Sequence, residues 1–373
     1  MRKPDVAVAF TFAFAFAFAF AFAFAFAFAF AFAASSAFAQ SSVTLYGIVD
    51  GGFVYQNQNG NSGHSVFSAV SGGQLYSRWG LRGTEDLGGG MKAGFVFEDD
   101  FNVMNGSAGP YANVYIESGY GRITVGEQIN PTFAVMMLGD PNDAADYFSG
   151  VNYWLTNEGN SVEPGGTMFT TNAVSYRLFK GDFKVAALYA FGNMPGEISV
   201  DQTIAAGAAY DNGHLAVTAG YLEKNNANGQ RDLRTYITSV GYHAGPVFLR
   251  VGYTDFDQPL GNNIYLNSSG TPASNVEVLD AGVSWSVSPA LILKAAYYFA
   301  EDRKDTSNAA GQYSVDATYF LSRRTSIYCF TGVVDAKLGA NALTAVSTTS
   351  SALLVGAPGR RTVTAGVGLV QYF

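Results

Sequence analysis

The sequence predicts an all-β fold, a 16-stranded antiparallel transmembrane β-barrel, from its composition and its strand periodicity. Charged residues are only 13% of the 373 residues, aromatic residues are 15%, and glycine occupies 43 positions. After residue 40, however, no apolar run reaches the ~20 residues that a membrane-spanning helix requires. Segments of about ten residues instead alternate apolar with polar side chains, as transmembrane strands do. We therefore expect residues 40–373 to form one barrel domain.

Two kinds of connection separate these segments and alternate strictly along the chain. Seven are short and rich in turn residues, as in β-hairpins: 86–90, 119–121, 180–182, 211–213, 244–246, 288–290 and 321–324. Eight are longer and polar: 56–72, 103–112, 130–171, 193–197, 225–230, 257–275, 302–311 and 336–359. This layout predicts short periplasmic turns and long external loops, whereas a soluble β-sandwich gives no reason for the alternation.

The first 39 residues are expected to be a signal peptide that lies outside the barrel. Arg2 and Lys3 precede a long uncharged stretch with a Phe-Ala low-complexity core, and residues 37–39 read Ala-Phe-Ala, a small-x-small cleavage site. The apolar stretch is longer than the ~7–15 residues of a usual signal core, so an uncleaved membrane anchor is the alternative. Excluding this segment changes the net charge from −8 to −9, which argues against a nucleic acid partner.

Basic residues in six strands fall on the face opposite the large apolar residues. Arg78 and Arg82 alternate with Trp79 and Leu81, for example. The corresponding residues of the other five strands are Lys92, Arg177, Lys184, Arg250 and Lys294. A charge that faces lipid at the bilayer midplane costs about 2–4 kcal/mol, so these side chains should point into the lumen. Since sixteen strands enclose more space than side chains fill, the barrel should be a pore.

The third long connection, the 130–171 loop, is far longer than the ~15 residues beyond which loops are usually functional or disordered. It combines apolar pieces with five carboxylates, at Asp140, Asp143, Asp146, Glu158 and Glu163. We expect it to fold into the barrel as a constriction loop, with its apolar residues on the wall and its carboxylates facing lumenal Arg and Lys. Opposed charges of this kind select solutes by size and charge. The alternative is a loop that only covers the outer mouth.

The chain ends inside a predicted strand, from Val363 to Phe373, with no charged tail. In a soluble protein this would be an exposed sheet edge. In a closed barrel it is the strand that meets the first one, so we expect it to pair with residues 43–55.

Five stretches of the chain carry a resemblance to a known family. They are SVTLYGIVD at 42–50, SRWGLRGTEDLGGG at 77–90, GRITVGEQ at 121–128, YFLSRRTSIY at 319–328, and VGL at 367–369 followed by the terminal Phe373. The chain resembles the general diffusion porins of Gram-negative outer membranes, specifically the betaproteobacterial (Burkholderia/Neisseria-like) branch. The resemblance implies homotrimers, passive diffusion of ions and small hydrophilic solutes, and contact with outer-membrane lipids and lipopolysaccharide. It also implies that the barrel-assembly machinery recognises Phe373 as an assembly signal.

The resemblance further implies a constriction between a basic wall and the third loop. We expect the wall to contain Arg78, Arg82, Lys92, Arg122 and Arg177. The opposing acids are expected to be Asp140, Asp143, Asp146 and Glu127. The family usually has Gly-Arg-Gln where this chain has Gly126-Glu127-Gln128. Together with the negative net charge, this replacement predicts a weak cation preference.

Two other functions compete with a general channel. An outer-membrane hydrolase needs a His base beside its nucleophile, but His64, His214 and His243 all fall in loops or at turns. No Cys/His metal spacing occurs, the single Cys329 is expected to pack in a strand, and we expect no metal or cofactor. A substrate-specific channel for sugars or phosphate would show a lumenal aromatic slide or a lysine ladder. Tyr and Phe here fall mostly in the lipid phase.

Overall fold

The computed structural model describes residues 42–59, 63–104, 108–143, 149, 168–259, 275–337 and 359–373. Asp146 and the signal peptide lie outside these residues. The elements are β1 (Ser42–Asn59), β2 (His64–Ser71), β3 (Arg78–Gly88), β4 (Met91–Phe101), β5 (Ala108–Ser118), β6 (Gly121–Ile129), α1 (Pro131–Gly139), β7 (Phe169–Lys180), β8 (Phe183–Ala190), β9 (Thr203–Asp211), β10 (Leu215–Asn225), β11 (Arg231–Ala244), β12 (Val247–Asp257), β13 (Asn275–Ser288), β14 (Leu291–Asp302), β15 (Asp305–Phe320), β16 (Thr325–Ala336) and β17 (Arg361–Tyr372). Among the described residues, no helix is long and apolar enough to cross a membrane.

The strands form one closed antiparallel barrel. From β3 to β17 consecutive strands pair with each other, and β17 pairs with β1 from Ile48↔Tyr372 to Gln56↔Thr364. The segments β2 and β3 share one barrel position, because β3 pairs with residues 42–48 of β1 and β2 pairs with residues 51–59. The 17 segments of the sheet therefore make a 16-strand barrel. The predicted fold class and the predicted pairing of the last strand with the first are confirmed.

The two faces of the wall follow the predicted alternation. On β12, Leu249 and Val251 are exposed on the outer face, whereas Arg250 lies in the lumen against the 130–171 loop. On β14, Lys294 likewise contacts that loop. An outer face of large apolar side chains suits lipid, and the charged residues stay on the water-filled side.

All seven predicted short connections are turns between paired strands, but two predicted long connections are wrong. The 302–311 connection is a two-residue turn, since β14 ends at Asp302 and β15 begins at Asp305. The 56–72 connection is mostly strand, since β1 continues to Asn59 and β2 begins at His64. In both places the apolar alternation ends before the strand does. Only the part of a strand within the apolar band, about 25 Å tall, must present an apolar outer face.

The C-terminal residue takes part in the seam between β17 and β1. The backbone N–H of Phe373 donates to the Gly47 carbonyl (3.1 Å), and the Gly47 N–H donates to the Phe373 carbonyl (3.2 Å). The Phe373 ring lies directly over Gly47, where a Cβ would come within 2.2 Å of its Cζ atom. Only glycine leaves room for this ring, so the last residue and Gly47 fit each other as a pair.

Candidate functional site

The 130–171 loop enters the lumen as a short helix, α1, whose start is specified by its sequence. Asn130 is the N-cap, and its side-chain oxygen accepts a hydrogen bond from the Phe133 N–H at 2.8 Å. Pro131 follows at the first helical position, where its missing N–H costs nothing. At the other end, the Asp140 N–H donates to the Met136 carbonyl at 2.8 Å. This helix was not among the elements expected from the sequence.

Glycines in the barrel wall let α1 approach closely. A Cβ on Gly207 of β9 would lie 2.6 Å from the Pro131 carbonyl oxygen and 2.9 Å from Val135 Cγ1. A Cβ on Gly220 of β10 would lie 2.7 Å from Val135 Cγ2. The Thr132 hydroxyl donates to the Tyr221 carbonyl at 2.7 Å. The helix is therefore packed against the wall rather than suspended in the channel.

Residues 133–138 are one of the apolar pieces of the loop that were expected to lie on the wall, and the structure divides them between the wall and the lumen. Phe133 and Met136 are buried in a cluster with wall residues such as Tyr298. Met137 and Leu138 are exposed, so one side of α1 presents apolar groups to the lumen. The side chains of a helix point in all directions around its axis, so a continuous apolar piece in a helix cannot face the wall throughout.

After α1, two aspartates attach the loop to β12 and β14. Asp140 is buried and accepts a hydrogen bond from the Tyr298 hydroxyl at 2.8 Å. Asp143 accepts from Arg250 Nη1 at 2.5 Å and from Lys294 Nζ at 2.6 Å. Arg250 Nη1 also donates to the Asp140 carbonyl at 2.7 Å. Arg250 thus contacts both aspartates of the described loop, and Lys294 contacts Asp143.

A further side chain extends the attachment to β15. The Asn142 Nδ2 group donates to the Ser314 hydroxyl at 2.7 Å, and its N–H donates to Asp140 Oδ2 at 3.2 Å. Residues 130–143 therefore run along the inner wall from β9 to β15, with α1 at one end and residues 140–143 at the other.

The attachment through Asp143 should depend on pH. Burial opposes ionisation of Asp143, but Lys294 and Arg250 outweigh it and hold the pKa of its carboxyl below the ordinary value of 3.8. Stabilisation by a carboxyl with a lowered pKa is complete above the ordinary pKa and is lost as the pH falls through the lowered value. We therefore expect steady single-channel currents from neutral pH to about pH 4, and larger current fluctuations only below it. Asp143→Asn should fluctuate at every pH; a transition near neutrality would contradict the assignment.

The predicted basic residues lie on the opposite part of the wall, on β3, β4, β6 and β7. Arg78 lies 3.5 Å from Glu98, whose carboxylate also accepts a hydrogen bond from the Tyr46 hydroxyl at 2.8 Å. The Arg82 guanidinium lies 5.1 Å from the centre of the Tyr46 ring. Lys92 stands opposite Asp86 in the β3–β4 register, close to the turn. These three cations therefore each have an acidic or aromatic neighbour on an adjoining strand.

Arg122 and Arg177 stand opposite each other in the β6–β7 register. Arg122 forms an ion pair with Glu117 and lies over the Tyr115 ring at 3.8 Å. Both arginines, with Lys184 of β8, line a cleft of about 270 Å³ between the wall and α1. Two cations side by side repel each other, and one carboxylate only partly offsets them, so this cleft is electropositive.

The structure thus places the predicted site residues that it describes on two walls, and Asp140 and Asp143 are held by side chains other than the basic residues assigned to them. Asp140 and Asp143 contact β12 and β14 instead. Glu127 lies half-buried beside the register shift between β6 and β7, and it does not line the cleft of Arg122 and Arg177. Arg250 and Lys294, which contact Asp143, were recognisable as lumenal because each lies on the face of its strand opposite the large apolar residues. What strand phase could not supply is how far along the wall the loop extends.

Comparisons with known proteins identify the family. A model of the Gram-negative porin family matches residues 24–338. The chain belongs to the Gram-negative porin family. Among the described residues of this porin, no group of three or more His, Cys, Asp or Glu could hold a metal ion. The expected resemblance to betaproteobacterial porins and the outer-membrane localisation are confirmed.

Two curated relatives support the assignment. The porin is 31% identical to outer membrane porin protein 32 of Delftia acidovorans over 310 residues, which cover 79% of this chain and 84% of the relative. It is 25% identical to major outer membrane protein P.IB of Neisseria meningitidis serogroup B over 315 residues, or 81% and 91% of the two chains.

Solved structures agree with the fold. The anion-selective porin from Comamonas acidovorans superposes with a TM-score of 0.73 at 26% identity, covering 90% of this chain and all of that one. A trimer form of OmpT from Vibrio cholerae gives a TM-score of 0.64 at 15% identity, covering 89% and 99%, and shows a likeness of fold.

Proposed function

We propose that this porin is a general diffusion channel, a water-filled pore for the passive passage of ions and small hydrophilic solutes. The observation that carries the proposal is the course of residues 130–143 inside the lumen. A 16-strand barrel is wide enough for an aqueous channel, and a loop fastened along its inner wall narrows it. Electropositive wall residues on one side and the bound loop on the other then act on any solute that passes.

Family membership supports a channel rather than an enzyme. We propose that the channel assembles as a homotrimer in contact with lipopolysaccharide, and that the barrel-assembly machinery inserts it. These proposals rest on the sequence resemblance. The trimer form of OmpT, which shares the fold, is consistent with the first of them.

For ion preference we propose a weak preference for anions, although the sequence suggested the reverse. Glu127 does not line the cleft, Asp140 is buried, and Asp143 is held between two cations. Among the described residues, no carboxylate lies within 4.0 Å of the charged groups of Arg82 or Arg177. The similar porin from Comamonas acidovorans is described as anion-selective, which is consistent with this proposal.

The ion preference is tested by the reversal potential of reconstituted channels in a KCl gradient. The wild type should show a chloride preference, and Arg82→Gln should reduce the chloride-to-potassium permeability ratio by about twofold. One charge in water at ~10 Å raises the local chloride concentration and lowers that of potassium, and salt screening reduces both effects. Arg361→Gln is the matched control, since Arg361 is an exposed arginine at the far end of β17, paired with Asp335. A potassium preference in the wild type would overturn the proposal.

A substrate-specific channel is the second candidate, and the cleft lined by Arg122, Arg177 and Lys184 favours it. A binding site for a small anion would make flux saturable. Liposome swelling with a size series of neutral and anionic solutes separates the two functions. Flux that depends only on solute size and charge supports the general channel, whereas block by one anion supports the specific channel.

A further inference from the structure

A second segment of the chain folds into the lumen, residues 72–77, which we call the inner strap. On β1, the ladder passes from β3 at Ile48 to β2 at Gly51, with two residues between. On the other side of the ladder, six residues separate Ser71 from Arg78. Six residues cannot fit within the wall opposite only two residues of β1, so residues 72–77 leave the wall. Gly72, with a φ of +78°, allows the sharp exit.

The strap leaves the wall on the lumenal side, where Asp50 of β1 binds it. Asp50 is fully buried, and its Oδ2 accepts hydrogen bonds from the N–H groups of Gln74 and Leu75, each at 2.8 Å. Its Oδ1 accepts from the Tyr328 hydroxyl on β16 at 2.8 Å. A buried carboxylate is expensive unless its oxygens are bonded, and the strap supplies two of the three donors. Asp50 and the strap therefore depend on each other.

The far end of the strap is fixed by one hydroxyl. The Ser77 Oγ accepts from the Asp50 N–H at 2.8 Å and donates to the Asp50 carbonyl at 3.0 Å. The strap is thus hydrogen-bonded to Asp50 at both its middle and its end, and it forms a defined inward turn.

From this base, the strap reaches the same part of the barrel as the 130–171 loop. Gln74 Nε2 donates to the Thr318 hydroxyl of β15 at 2.9 Å. The loop residue Asn142 binds Ser314 of the same strand, four residues away, or about 13 Å along it. Tyr76 packs against the apolar cluster that contains Phe133 and Met136 of α1. The strap therefore contacts the apolar cluster to which α1 contributes Phe133 and Met136.

We propose that the inner strap is a positioning element for the 130–171 loop, with Asp50 as the residue that holds the strap and Tyr76 as the contact to the loop's cluster. The loop then has two supports, the β9–β12 wall behind α1 and the strap, which acts through the shared apolar cluster. This role goes beyond the proposed diffusion function, since a barrel without the strap would still conduct. Its consequence is a loop that keeps one position, and so a steady channel width.

The test is single-channel recording in planar bilayers, with liposome swelling for the size limit, on the full-length assembled protein. Asp50→Asn should raise the time that the channel spends in a wider state about fivefold, since the loss of one hydrogen bond shifts an equilibrium by roughly that factor. Tyr76→Ala should raise it at least as much, because it removes an aromatic ring from the apolar cluster. Asp86→Asn is the matched control, because it removes a carboxylate from the lumenal phase of β3 away from the strap. Its currents should match the wild type.

Heat-induced dissociation of the assembled protein separates positioning from general stabilisation. If the variants only lower the dissociation temperature and conduct like the wild type, the strap merely stabilises the barrel and the proposal is overturned. If the Asp50 variant does not assemble, the same recording is made on Gln74→Ala, which removes the side-chain hydrogen bond between the strap and β15. A wild type that does not conduct would refute the diffusion function instead, so the two failures are distinct.

Discussion

Deletion of Phe373 is expected to reduce the yield of assembled protein in the outer membrane by about tenfold or more, while the channels that do assemble conduct normally. The deletion removes two backbone hydrogen bonds to Gly47 and the ring that covers it. At about 1 kcal/mol for each bond, the loss of both amounts to about 2 kcal/mol, or about a thirtyfold change in the closure equilibrium. Loss of the proposed assembly signal would add to it. The lumenal residues near α1 are untouched.

The measurement is a quantitative blot of outer-membrane fractions together with single-channel conductance. Phe373→Tyr is the matched control, because it keeps the backbone pairing and an aromatic ring, and it should assemble well. A deletion variant that assembles at the wild-type level would show that the terminal residue is dispensable. Normal assembly with altered conductance would show that Phe373 affects the pore rather than the seam.

Replacement of Arg250 by alanine is expected to release residues 140–143 from the wall and to give larger, noisier single-channel currents. The Arg250 side chain is 13% exposed, and Asp143 is 46% exposed. Breaking a buried pair costs about 3–5 kcal/mol, and the exposure of Asp143 reduces this to about 2 kcal/mol. Lys294 remains as the second partner of Asp143. The strand ladder stays intact, so the barrel should still assemble.

Arg234→Ala is the matched control, since it also breaks an Arg–Asp pair, between Arg234 of β11 and Asp257 of β12, whereas Asp143 is held by Arg250 and Lys294. Its currents should resemble those of the wild type. The double variant Arg250→Ala with Asp143→Asn should be no noisier than Arg250→Ala, because residues in one ion-pair network are not additive. Wild-type currents in Arg250→Ala would mean that the loop is held by α1 alone.

The site was partly predictable, and the division is visible in single residues. Arg250 and Lys294 were placed in the lumen correctly, because a charge on the lipid face is costly and strands alternate with period two. Their pairing with Asp143 was not predictable. It depends on where α1 ends along the wall, and Gly207 and Gly220 decide that by letting the helix approach. In the sequence, a glycine within a strand does not indicate which element packs against it.

The inner strap shows the same limit at Asp50. In the sequence this residue is one acid within an alternating strand, and the predicted 56–72 loop ends at the first residue of the strap. Only the ladder, with two residues on one side and six on the other, shows that the segment must leave the wall. The three donors around its carboxylate come from β16 and the strap, which are more than 250 residues apart along the chain.

By itself, the sequence determined the strand number, the lipid and lumenal faces and the closure of the barrel, because these follow from local periodicity and from the cost of charge in lipid. The tertiary structure alone decided which lumenal charges are paired, where the 130–171 loop is fastened and that a second segment turns inward. Those features depend on side chains brought together across the lumen, where distance along the chain carries no information about contact.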